Sequence, residues 1–120
     1  MPKTILIADD SESIRMILRM TLQFKGFTIL EAADGAQAFE ILKGRECDLI
    51  IADIAMPNMT GLELLQKVRQ ELKKEGVPII ICTAEKSPGE AELLCRGATR
   101  VVEKPFSPIE FMEMVERLLP

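Results

Sequence analysis

The sequence contains no histidine, no tryptophan and no tyrosine. The missing histidine excludes Ser-His and Cys-His nucleophiles, His-ligated zinc and a phosphohistidine on this chain. Five phenylalanines are the only rings available to stack on a base. Three cysteines, Cys47, Cys82 and Cys95, are odd in number and widely spaced, which argues against a disulfide framework or a zinc site. They read as reduced thiols of a cytoplasmic protein, two or more of them filling core space. Apolar runs last only a few residues, so no membrane span is expected. The first run, Ile5 to Ala8, is cut at once by Asp9 and Asp10, unlike any signal peptide. Positive charge is in short supply too. Fifteen Lys and Arg face 19 Asp and Glu, for a net charge of −4. Nucleic acid, which needs clustered cations, is not an expected partner.

What is present fits one globular domain, residues 1–120, with 48% hydrophobic and 28% charged residues. Short apolar, β-branched runs predict strands at Thr4–Ala8, Thr28–Ala32, Leu49–Ala52, Val77–Cys82 and Arg100–Glu103. The first, third and fourth are apolar nearly throughout, the mark of a parallel sheet buried on both faces. Helical spacing fills the gaps. Ile14, Ile17, Leu18, Thr21 and Leu22 mark the first helix, and Ala38, Phe39 and Leu42 the second. Leu62, Leu65, Val68 and Leu72 mark the third, and Ile109, Met112, Val115 and Leu119 the fifth.

The helix ends carry their own signals. Thr60 with Glu63, Ser87 with Glu90, and Ser107 with Glu110 fit capping boxes. Pro88 and Pro108 suit first helical positions, and Gly26, Gly76 and Gly97 suit left-handed C-terminal caps. The expected fold is therefore α/β, a doubly wound (βα)₅ parallel sheet between helical layers with right-handed crossovers.

Polar chemistry gathers where the predicted strands end. Asp9 and Asp10 follow the first, Asp53 the third, Thr83 the fourth and Lys104 the fifth. Ligands of open α/β sheets bind beyond these carboxyl ends, at the switch point in strand order. Converging carboxylates repel unless a cation or protons neutralise them. An all-oxygen donor set favours Mg²⁺, and a carboxylate beside Mg²⁺, an ammonium and a hydroxyl forms a phosphoryl-acceptor site.

Taken in order, Asp9-Asp10, Asp53, Met56-Pro57, Gly61, Thr83-Ala84 and Lys104-Pro105-Phe106 are specific. From Lys3 to Leu119 the chain resembles the receiver domains of two-component response regulators, specifically the single-domain, chemotaxis-type regulators. The resemblance implies a flavodoxin-like strand order of 2-1-3-4-5, which brings Asp9, Asp10 and Asp53 together. It implies Asp53 as phosphoacceptor and Asp10 as principal Mg²⁺ ligand. Asp9 would support the metal through water, and Ala55 would add its backbone carbonyl. Thr83 would bond the phosphoryl group, and Lys104 would pair with it.

The implied donor is a histidine kinase or phosphotransfer protein. The implied output is contact between the fourth helix, fifth strand and fifth helix and a downstream protein, with Thr83, Ala84, Glu85 and position 101 forming the switch. A monomer that catalyses only its own phosphorylation and dephosphorylation is expected, not an enzyme acting on external substrates. One departure concerns output: where receivers commonly carry an aromatic ring, this chain has Val101. Two other readings are a receiver fold that binds protein without phosphorylation and an aspartyl-phosphate hydrolase. The second family places its nucleophile in a D-x-D pattern, and this chain has adjacent Asp9-Asp10.

Overall fold

The computed structural model describes residues 2–86 and 88–120. Strands and helices alternate strictly along the chain. The elements are β1 (Thr4–Ala8), α1 (Glu12–Phe24), β2 (Thr28–Ala32), α2 (Gly35–Gly44), β3 (Leu49–Asp53), α3 (Gly61–Gln70), β4 (Ile79–Thr83), α4 (Glu90–Cys95), β5 (Arg100–Glu103) and α5 (Pro108–Leu118). All neighbouring strands run parallel in the order β2-β1-β3-β4-β5. Strands β1 and β3 adjoin, with Ala8 beside Ala52, so the chain reverses its direction of winding between them.

The continuous apolar runs are explained by two cores. Ile5 and Ile7 of β1, Leu49 and Ile51 of β3, and Ile80 and Cys82 of β4 pack against Leu18 and Leu22 of α1 and Phe111 and Val115 of α5. The alternate residues, Leu6 and Ala8, Ile50 and Ala52, Ile79 and Ile81, face Leu42, Leu64, Leu65, Val68 and Leu93 from α2, α3 and α4. Each central strand is thus apolar on both faces because helices cover both. Strand β5 lies at the edge, and its Arg100 and Glu103 are exposed.

Most helix ends follow their local chemistry. Ser11, Asp34, Thr60 and Ser107 accept the expected backbone N–H bonds, and Thr60 with Glu63 closes a full capping box. Gly26 and Gly97 take left-handed φ values of 93° and 117° after α1 and α4. Gly76 does not share that role. Helix α3 stops at Gln70, and Lys73, at φ 55°, makes the left-handed turn instead. Helix α4 starts later than expected, at Glu90, so Pro88 lies before it and Gly89 is its N-cap with no side-chain bond. Ser87, part of the expected capping box there, lies outside the described residues. Ile109 is 66% exposed, and Phe111 takes the buried place on α5.

Candidate functional site

The site grows from the carboxyl ends of β1, β3, β4 and β5. The Asp9 N–H donates to the Ala32 carbonyl at 3.1 Å, which extends the β1–β2 ladder by one residue. The Asp9 carboxylate, only 3% exposed, then accepts from the Ser11 N–H at 2.8 Å and the Lys104 ammonium at 3.0 Å. Asp10, the next residue, is exposed. Asp53 ends β3 at 7% exposure, with Oδ2 3.4 Å from Lys104 Nζ. One carboxylate oxygen each from Asp9, Asp10 and Asp53 lies within 4.8 Å of the others.

The loop after Asp53 is folded back tightly. The Ile54 N–H donates to the Cys82 carbonyl at 2.9 Å, and the Gly61 N–H to the Ile54 carbonyl at 3.0 Å. Any Cβ on Gly61 would collide with the Asp53 carbonyl, so only glycine lets α3 begin against the Asp53 backbone. Asn58 holds a left-handed φ of 66° and donates its amide to Asp34 at 2.9 Å. The Ala55 backbone favours the ionised form of the Asp53 carboxylate.

Lys104 arrives from β5, its N–H bonded to the Thr83 carbonyl at 2.8 Å. Its pKa sits above the ordinary value. Burial works against the ammonium, and hydrogen bonding and attraction from Asp9, then Asp53, more than offset it. The Asp53 pKa is raised, first by burial and then by Asp9, with Lys104 opposing both. One ammonium thus pairs with two of the three clustered carboxylates, Asp9 and Asp53. The donor set is all oxygen and partly unneutralised, which fits a hard divalent cation.

Thr83 is also buried at this rim, but its hydroxyl is occupied. It donates to the Glu85 carbonyl at 3.0 Å and accepts from the Glu85 N–H at 2.8 Å. Thr83, Ala84, Glu85 and Val101 line one groove of about 360 Å³ with Pro88 and Gly89. The valine leaves this space unfilled. Asp9, Asp10, Asp53 and Lys104 thus meet in one cluster, while Thr83, Ala84, Glu85 and Val101 line a groove reached from the same strand ends.

Two neighbours carry no signal in the sequence. The Arg15 guanidinium donates to the Asp9 carbonyl and to Glu31, a residue 16 positions away on another element. No local periodicity exposes such a pair.

A sequence profile for the response regulator receiver domain matches residues 5–116, and the chain belongs to that family. It is a response regulator receiver with the CheY-like fold. A chemotaxis protein CheY homolog of Campylobacter jejuni is 39% identical over 120 residues, covering 96% of this chain and 91% of that protein. The response regulator GtcR of Aneurinibacillus migulanus is 37% identical, but this chain spans only 48% of its length. Among solved structures, the chemotaxis regulator CheY4 of Vibrio cholerae superposes with a TM-score of 0.90 at 35% identity, covering 98% of this chain and 99% of that one. TrrA of Thermotoga maritima, solved with Mg²⁺ and BeF, gives 0.85 at 36% identity, covering 97% and 98%.

Proposed function

We propose that Asp53 accepts a phosphoryl group from the phosphohistidine of a histidine kinase or phosphotransfer protein. The observation that supports this most is the cluster of Asp9, Asp10 and Asp53 at the switch point of the sheet, with Lys104 paired to Asp9 and Asp53. The Asp53 carboxylate attacks phosphorus, the donor's P–N bond breaks, and the imidazole leaves with the electron pair. Burial makes Asp53 a more basic carboxylate, and Lys104 keeps it oriented and favours its ionised form. Lys104 then faces the oxygens of the new acyl phosphate. The Thr83 hydroxyl becomes their second partner by giving up its bonds to Glu85.

Mg²⁺ would be held by Asp10, Asp53 and the Ala55 carbonyl, with Asp9 in support. When bound it supplies charge neutralisation for the transferring phosphoryl oxygens. The chain acts on itself only, as a cytoplasmic monomer, and signals by protein contact through α4, β5 and α5. Among the described residues, no helix is long and apolar enough to cross a membrane. The test is direct. Acetyl phosphate with Mg²⁺ should label Asp53 alone, as an acid-stable, base-labile adduct seen by peptide mass spectrometry. Full labelling of Asp53→Asn would place the acceptor elsewhere. Turnover of external phosphomonoesters would favour the hydrolase reading.

A further inference from the structure

Asp10 is the exposed member of the carboxylate cluster, and its direction follows from the peptide that joins it to Asp9. That peptide is anchored. The Asp9 N–H is fixed to β2 through Ala32, at 3.1 Å, and the Asp9 carboxylate caps Ser11, at 2.8 Å. The Asp9 carbonyl is one of the two atoms that set the peptide's rotation. It accepts a bond of 2.6 Å from Arg15 Nη1.

Arg15 is itself oriented. Its Nε donates to Glu31 Oε1 at 3.2 Å, and the other oxygen of Glu31 takes Arg19 at 2.7 Å. The Arg15 side chain is 16% exposed, against 37% for Arg19. A planar guanidinium is suited to this task, since one rigid group bonds a carboxylate on β2 and a carbonyl on the β1–α1 loop together. Partly exposed ion pairs add little to stability, so stability alone gives this brace little purpose.

We propose that Arg15 is a positioning residue for the metal loop, holding the Asp9–Asp10 peptide so that Asp10 points into the cluster, with Glu31 as its orienting partner. This rests on reading Asp10 as a metal ligand. The proposal has a sign that separates it from simple electrostatics. A cation near three carboxylates repels Mg²⁺, so by charge alone its removal tightens metal binding. A lost brace loosens it.

The experiment uses the full chain, ¹⁵N-labelled, as wild type, Arg15→Gln, Arg15→Lys and Glu31→Gln. Each is titrated with Mg²⁺ by amide NMR, and amide exchange at Ser11 is followed without metal. Arg15→Gln should raise the Mg²⁺ dissociation constant by about tenfold, the usual scale for losing a group that orients a metal ligand. Arg15→Lys, with one ammonium that cannot serve both partners, should recover part of the loss. Glu31→Gln should weaken binding less than Arg15→Gln. The Ser11 amide should exchange faster in the metal-free Arg15→Gln chain. Unchanged or tighter Mg²⁺ binding in a folded Arg15→Gln chain overturns the proposal. If that variant does not fold, wild-type affinity in both Arg15→Lys and Glu31→Gln overturns it. A wild type that binds no Mg²⁺ refutes the metal reading, and unaltered Ser11 exchange refutes the brace independently.

Discussion

The rim of the sheet has two sides that are built to different standards. On the β1–β3 side, Asp9 is held through its N–H, its carbonyl and its carboxylate, and Gly61 is packed against the Asp53 carbonyl with no room for a methyl group. On the β4–β5 side, the Thr83 hydroxyl is the one side-chain tie of the following loop among the described residues, helix α4 has six residues, and only Leu93 of them is buried. Its N-cap is Gly89, without a side-chain bond, and the groove beside Val101 is unfilled. Short helices without caps are marginal, so this side has a small free-energy gap between arrangements. The contrast suggests a division of labour in which one side fixes the reacting groups and the other moves when the chemistry is done.

The largest expected effect lies on the rigid side. Asp53→Asn should lose all acetyl phosphate labelling, because an amide oxygen is a poor nucleophile. The same substitution should stabilise the metal-free protein at neutral pH. The folded-state pKa of Asp53 is raised, so its contribution to stability is present at low pH and lost as pH rises through that value. Asn mimics the protonated form, and the gain should shrink as pH falls. Equal thermal midpoints at every pH would contradict the crowding of carboxylates.

Two glycines then compare the sides directly. Gly61→Ala should cost about 2 kcal/mol in urea unfolding, since the Asp53 backbone must shift to admit a Cβ. Gly89→Ala should cost about 0.5 kcal/mol, because its new Cβ would lie 3.6 Å from the nearest atom of the described residues, the Lys86 carbonyl oxygen, and only a cap preference changes. Similar costs would erase the distinction.

Thr83→Ala should cost about 1 kcal/mol, the scale of a lost hydrogen bond, and shift the Glu85 amide most. At position 55 the effect is on a rate and not on stability. Ala55→Asn should change the lifetime of the phosphorylated form about fivefold, roughly 1 kcal/mol of barrier, by offering a hydrogen bond to the attacking water. Identical decay would show that this side chain does not control the water.

The difference between the sides also marks what was legible in the sequence. The rigid side is written in local signals. Apolar β-branched runs set β1 and β3, Thr60 caps where its capping box predicts, and Asp53 falls at a strand end. Its long-range pairings are not local. Lys104 meets Asp9 across 95 residues; the family resemblance puts both at one rim but pairs Lys104 with the phosphoryl group and not with Asp9. The Arg15–Glu31 pair stayed hidden because α1 and β2 meet only in three dimensions. The pliable side was read less well. Helix and loop signals compete at Pro88-Gly89, and the chain resolves them in favour of loop, with α4 starting at Glu90. With Gly89 outside the helix as its cap, the weakness of α4 comes from its length and missing side-chain bond and not from an interior glycine. Lys73 taking the turn expected of Gly76 is the same kind of error, since α3 ends sooner than its apolar spacing suggests.

The most direct test of the division is amide NMR of the Mg²⁺-loaded chain with and without beryllofluoride, a mimic of the phosphorylated state. The Thr83 hydroxyl should leave Glu85 for the phosphoryl mimic and draw its loop inward, while Val101, β-branched and without a ring, rotates little. The largest shifts should therefore run from Thr83 to Arg96, with smaller ones around Val101 and little change from β1 into α1 beyond the metal-bound state. Shifts centred on Val101 and α5, with residues 84–96 unmoved, would contradict the account.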